Sequence, residues 1–250
     1  RSRHVLADGH FDVRERPLAP PAGDGWFQAP SGTSHQRRFI AVGDGTRGLA
    51  VLNRGLPEYQ ADPGEDGVDL RVTLLRCVGW LSRRDLRSRP QGAGPALPTP
   101  GAQMPGEHVF ELAVLPFGGA WDAGPLLEQA QAFQAPPLVR TAATATAPRS
   151  WLQLPPPLEL TALKRAEERD SIVLRIFNPA TRRAAGALRL WDVPREAHLL
   201  NLAEERRQAL DPVSSTIDLD LGPKEVVTLE IVPRERRGGA GPSRSSDAQS

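Results

Sequence analysis

Between Leu158 and Pro233 the chain keeps a steady beat of apolar, strand-length runs broken by turn residues. The runs are LELTALKR, SIVLRIFNP, AGALRLWDV, AHLLNLAEE, SSTIDLDLGP and EVVTLEIVP. They recur about every 8 to 14 residues, the rhythm of a small β-sandwich. Within EVVTLEIV, Val226, Thr228 and Glu230 alternate with Val227, Leu229 and Ile231. That alternation predicts one face turned in and the other turned out. Glycine and proline, 23 and 25 residues of 250, tighten the constraint along the whole chain. Neither is tolerated well inside helices, so short strands joined by turns are the expected architecture throughout.

The first part of the chain reads the same way, less regularly. GHFDVRERPL, HQRRFIAVGDG, RGLAVLNRG, VDLRVTLLRCVGWL and EHVFELAVLPF are strand-like, with period-2 placement of Phe39 and Ala41 and of Val72 and Leu74. GDG at 43–45 and RG at 54–55 are hairpin-turn candidates. One helix is expected, in GPLLEQAQAFQAP, where Leu126, Leu127, Ala130 and Phe133 share a face and Pro136 ends the run. A composition break at TAATATAPRSW (141–151) separates the two halves. The expected organisation is a β-sandwich portion over 1–150, a small β-sandwich over 151–233, and a disordered tail over 234–250 that has no apolar anchor. The chain starts within a strand pattern and without Met, as a piece of a longer protein would.

Chemistry is sparse in these residues. Net charge is +1, which gives no whole-chain footprint for nucleic acid. Cys77 is the single cysteine, so neither an intrachain disulfide nor a thiolate metal site is available, which suits a reducing cytoplasm. No apolar run approaches the roughly 20 residues of a membrane span. His4, His10, His35, His108 and His198 are scattered without metal-ligand spacing. The acid pairs Glu65–Asp66, Glu167–Glu168 and Glu204–Glu205 fall in loops or at strand ends, where solvated charges are the ordinary reading. There is no G-x-S-x-G elbow, and GDGTRG lacks the Lys and spacing of a phosphate loop.

The one electrostatic feature is the arginine cluster opening RCVGWLSRRDLRSRPQGAGPALPTPGAQMPGEH (76–108). Three readings fit it: an exposed charged strand end, a nucleic-acid contact, or arginines placed to hold a carboxylate or ligand hydroxyl through their planar fork. Only Trp80 is aromatic nearby, which weighs against nucleic acid.

Several strings together resemble the C-terminal β region of family 38 glycoside hydrolases, the α-mannosidases, with bacterial members, including those acting on mannosylglycerate, the most similar. The strings are RGLAVLNRGLPEYQ (47–60), LLRCVGWLSR (74–83), the AGPALPTPGAQ loop (93–103) and LTALKRAEERDSIVLRIFNP (160–179). They stand in the family's order, and the resemblance covers about residues 8 to 233. The resemblance implies an all-β chain: part of a large galactose-mutarotase-like supersandwich, then a small β-sandwich, with one short helix. It implies a retaining exo-α-mannosidase as the parent. There a separate α/β domain supplies an Asp nucleophile, an Asp acid/base and a zinc ion held by His and Asp.

None of those motifs is present in these residues, so no catalytic residue, metal ligand or cofactor is assigned to the chain and the chain alone is expected to be inactive. The family's β region sends a loop to the sugar pocket. RDLRSRP (84–90) is the matching stretch, which makes Asp85 and Arg89, with Arg87 as an alternative, the substrate-binding candidates. Arg84 stands where a second Asp is common, which sets a paired-carboxylate role in doubt; Tyr59 is read as packing. The expected partners are an α-mannoside, the catalytic domain in cis and a homo-oligomer, with no nucleic acid and no membrane. The rival reading is a stand-alone carbohydrate-binding or interaction module.

Overall fold

A computed structural model of the chain describes residues 4–141, 147–212 and 214–234. Among these residues it is a β protein with one α-helix, as the strand-turn pattern predicts. The chain divides into two compact units, the first through Thr144 and the second from Ala145. Most of the expected tail, and part of the composition break at 141–151, lie outside the described residues.

The first unit contains β1 (His4–Gly9), β2 (Asp12–Pro17), β3 (Thr33–His35), β4 (Phe39–Gly43), β5 (Arg47–Asn53), β6 (Glu58–Pro63), β7 (Val68–Val72), β8 (Leu112–Gly118) and α1 (Leu126–Gln134). Strands β2-β1-β4-β5-β8 form a five-stranded sheet and β3-β6-β7 a three-stranded one. Both faces of the larger sheet are covered. Phe39 and Ala41 join Leu126, Leu127 and Ala130 of α1 in one cluster. Ile40, between them in sequence, joins Val5, Ala7, Tyr59 and Ala61 in another. Successive side chains of a strand point to opposite faces, so β4 is apolar on both sides because a helix lies on one and a sheet on the other.

Helix α1 turns its expected face inward, with Phe133 packed beside that cluster. Two residues on the sheet side anchor its last turn. Arg54 donates to the Phe133 carbonyl from Nε at 3.1 Å, and its guanidinium lies 4.9 Å from the Phe133 ring centre. Cations are favoured at a helix C-terminus. Below the helix, Arg38 and Asp8, both buried, form a two-pronged pair at 2.8 and 2.9 Å. A remaining Arg38 nitrogen donates to Gln131 of α1 at 3.2 Å. Gly48 is required by proximity, since a Cβ there would lie 2.2 Å from the ring of Phe117, its cross-strand partner on β8.

Two local expectations change. The VDLRVTLLRCVGWL run stops being a strand at Val72, and Leu74 is exposed. Arg54–Gly55 is not a hairpin: it carries the chain from β5 in one sheet to β6 in the other. Tyr59, on β6, is buried at 2% exposure, in line with a packing role.

In the second unit, β9 (Leu152–Gln153), β10 (Glu159–Arg165), β11 (Ile172–Phe177), β12 (Ala184–Leu190), β13 (Glu196–Leu200), β14 (Arg206–Leu210), β15 (Thr216–Leu221) and β16 (Val226–Val232) follow in order. All six strand-length runs appear, and β14, with the polar sequence RRQAL, is added at a sheet edge. The sheets β10-β11-β16-β13-β14 and β15-β12-β9 enclose one core that includes Leu174, Ile176, Leu188, Leu219, Leu229 and Ile231. Asn178, fully buried, closes one end. Its Nδ2 donates to the carbonyls of Arg182 at 2.8 Å and Gly222 at 2.9 Å, while its Oδ1 accepts the Ala180 amide at 3.0 Å.

The alternation along β16 needs one correction. Val227, Leu229 and Ile231 face the core, but Thr228 and Glu230 are buried as well. The outer face over Glu230 is covered by Arg169 and Arg206, which bond its two oxygens at 2.6 Å each, and Ser171 adds a third bond at 2.6 Å.

Candidate functional site

The stretch between β7 and β8 holds the residues singled out from the sequence, and it is tied together at its base. Leu81 N–H donates to the Leu97 carbonyl at 2.9 Å and Thr99 N–H to the Gly79 carbonyl at 3.0 Å. Thr99 Oγ1 and Gln103 Nε2 both donate to the Val78 carbonyl, at 2.7 and 2.6 Å. Ser82 is buried and its hydroxyl accepts the Ala93 amide at 3.0 Å. Prolines at 95, 98 and 100 fix φ along the returning arm, so few backbone bonds are needed to hold it.

At the tip, Arg89 N–H donates to the Leu86 carbonyl at 3.1 Å, and the neighbouring Ser88 carbonyl accepts the Ala29 amide at 2.9 Å. These bonds make an ordered excursion rather than a free linker. Cys77, at the start of the excursion, is exposed.

The three candidate residues share this tip but do not converge. Asp85 is exposed and clamped by Arg83, whose Nε lies 2.8 Å from Oδ1. The hydrogen bond from Arg83 holds the Asp85 carboxyl below the usual carboxylate range. Arg89 is half-buried; its head reaches Gln28 Oε1 at 3.4 Å, a weak bond, and its Nε is buried without a partner among the described residues. Arg87 is exposed. No side-chain hydrogen bond joins Asp85 to Arg87 or Arg89 among the described residues. Of the three candidates, then, two are guanidiniums not bound to a carboxylate among the described residues, beside one acid already neutralised by its neighbour. That set suits an anionic or hydroxyl-rich ligand approaching from outside.

The base of the excursion carries apolar side chains that are uncovered. Trp80, Leu81, Leu97 and Met104 are each about half exposed, and Val109 is 86% exposed. Large apolar side chains gathered on one ordered segment mark a surface made to be covered.

Elsewhere the chemistry stays dispersed. Among the described residues no three His, Cys, Asp or Glu side chains are grouped as metal ligands would be, so the zinc implied by the family resemblance has no fitting donor set here. His4 lies by Glu15 and His198 by Glu196, each at 3.2 Å. Of the acid pairs, Glu204 departs from the solvated reading. It is buried, with φ +63°, and is held by Lys164 at 2.8 Å and the Glu167 amide at 2.9 Å. The Lys164 bond, then the backbone bond, lowers its pKa. Sequence reasoning passed over one further feature: a cavity of about 280 Å³ between the two sheets of the first unit, with Arg16, Ser34 and Tyr59 on its walls. Arg16 in DVRERP and a Tyr in a strand carry no local signal of convergence, because β2 and β6 meet only in the fold.

Residues 157–229 match the family model for the glycosyl hydrolases family 38 C-terminal beta sandwich domain. That match falls within the second unit. The likeness to family 38 reaches well beyond it. Over 92% of this chain the sequence is 27% identical to a Halalkalibacterium halodurans protein named "Putative mannosylglycerate hydrolase", of which it covers 24%. An alpha-mannosidase from Enterococcus faecalis V583 superposes over 92% of this chain with a TM-score of 0.70 and 28% identity, covering 24% of that structure. A second E. faecalis family 38 structure gives a TM-score of 0.68 and 27% identity, covering 25%. The family 38 likeness thus takes in both units, and the chain spans about a quarter of the length of the relatives it matches.

Proposed function

We propose that the chain is the C-terminal β region of a retaining α-mannosidase that hydrolyses terminal α-mannosides. In this reading a separate zinc-containing catalytic domain in the same polypeptide carries the reaction, and the β region supports it and closes one side of the sugar pocket. The observation that carries the reading is the excursion at 76–108. It is ordered by its own hydrogen bonds while leaving Trp80, Leu81, Leu97 and Met104 uncovered. Such a segment gains stability only when a further surface lies against it. Arg89, and Arg87 as the alternative, would then meet sugar hydroxyls, with Asp85 fixed by Arg83.

In the full-length protein, Arg89→Ala should lower kcat/KM for an aryl α-mannoside by about 10- to 100-fold, the weight of one lost charged hydrogen bond. The melting temperature should stay unchanged. Wild-type kinetics in that variant would remove the tip from the pocket. The 250-residue chain alone should neither turn over the aryl α-mannoside nor bind zinc stoichiometrically. Turnover by the chain alone would overturn the proposal.

A further inference from the structure

Many arginines among the described residues are matched to an acid, while others, Arg87 and Arg89 among them, are not. Arg38 has Asp8, Arg83 has Asp85, Arg169 and Arg206 share Glu230, and Arg183 has Asp220. Arg16 is different. In the β1–β2 hairpin it pairs with Val5, and cross-strand partners share a face. That face is the one on which Val5 and Ala7 meet Tyr59 and Ala61 of the smaller sheet. The fold therefore places a guanidinium at the rim of an apolar interlayer. Its Nε is buried without a hydrogen-bond partner among the described residues.

The opposite wall is also polar. Ser34 and Tyr59 are a cross-strand pair on β3 and β6, so their side chains stand side by side on the wall facing Arg16. Tyr59 is only 2% exposed, yet its hydroxyl makes no hydrogen bond of good geometry among the described residues. A buried polar group without a partner is costly, and native structures seldom leave one without a reason. Here two such groups, from two sheets, line one cavity of about 280 Å³. Leu18, Pro20 and Pro21 form its apolar side, and no carboxylate lines it. Burial pushes the Tyr59 phenol up, and the Arg16 charge and a bond with Ser34 pull it back part of the way.

We propose that this cavity is a binding site for a short carboxylic acid. Its carboxylate would lie on the Arg16 guanidinium, with the Tyr59 and Ser34 hydroxyls completing the oxygen contacts. The guanidinium fork matches a carboxylate in both geometry and charge. The volume of about 280 Å³ leaves room for a small carboxylic acid. The apolar side accommodates the carbon chain. The site lies within the first unit and needs neither the proposed mannosidase activity nor its catalytic domain.

The test is a calorimetric titration of the 250-residue chain with sodium lactate at constant ionic strength. Glycerol serves as the neutral control and inorganic phosphate as the non-carboxylate anion. Lactate should bind saturably at one site per chain, glycerol should not bind, and phosphate should bind at least about tenfold more weakly. Arg16→Gln should weaken lactate by about 10- to 100-fold, the range for a lost charged hydrogen bond. Tyr59→Phe keeps the ring in the core, so it should fold normally and weaken lactate by about three- to tenfold. Non-saturable heats, equal binding of phosphate and lactate, or lactate affinity unchanged in Arg16→Gln would each overturn the proposal.

Discussion

Asp8, Asp85 and Glu230 all bond arginines, yet burial gives them very different weight. Asp8 and Arg38 are 2% and 4% exposed, so removing the acid strands a guanidinium inside the sheet–helix layer. Asp8→Asn should therefore cost about 3 kcal/mol, read from the denaturant midpoint. Asp85→Asn should leave that midpoint where it is, because its pair with Arg83 stands in water.

Glu230 supplies a pH signature. Burial alone would raise its carboxyl, but bonds from Arg206, Ser171 and Arg169 outweigh burial and hold it at about 2, below an ordinary value of 4.5. A group whose pKa falls on folding stabilises the fold fully above its unfolded value and loses that contribution as pH drops through the folded one. Melting temperature should thus decline between pH 4.5 and about 2, and Glu230→Gln should flatten that decline while costing about 2 kcal/mol near neutrality. An equally steep acid limb in the variant would assign the decline to other groups. The alternation that placed Glu230 opposite Leu229 and Ile231 was legible in EVVTLEIV. Its burial was not, because its cover comes from Arg169 and Arg206, which lie far from β16 in sequence and meet it only after the sheet forms.

Among the elements, those that bury a regular apolar stripe were readable. TIDLDL of β15 alternates buried and exposed without exception from Ile217 to Leu221, and α1 shows its inward face in LLEQAQAF. The elements without a sequence signal are held by their neighbours rather than by their own residues. β14 is RRQAL at an edge, β3 is three residues long, and β6 contains Asp62 and Pro63.

The same distinction sets the cost of substitution. Leu126 of α1 is fully buried, so Leu126→Ala should cost about 2–4 kcal/mol. Gly48→Ala would drive a methyl into the Phe117 ring, an overpacking worth about 1–3 kcal/mol. Gly67→Ala, where a Cβ meets nothing within 4 Å, is the control and should leave stability nearly unchanged. All three are read from thermal unfolding of the whole chain.

For the molecule as a whole, the second unit was the more legible because a two-layer sandwich writes its strands at even intervals. The first unit was harder to read from its residues: its larger sheet is covered on both faces, so β4 shows three consecutive buried residues instead of an alternation. The candidate site was legible as a segment and as residue types. How Asp85, Arg87 and Arg89 are oriented was not, since Arg83 takes the acid and Gln28, far upstream, meets Arg89. In the proposed reading the apolar excursion is covered in the full-length enzyme. The isolated chain should therefore bind an apolar dye strongly, and the full-length protein should bind far less per mole. Equal dye binding would mean that nothing covers it.

Cys77 turns that question into a direct optical measurement. The chain carries one cysteine, exposed, three positions before Trp80 at the base of the excursion. A maleimide fluorophore would attach there in the unmodified sequence of this chain. Its emission colour and anisotropy would then register whether water or another surface faces the excursion, without any engineered change.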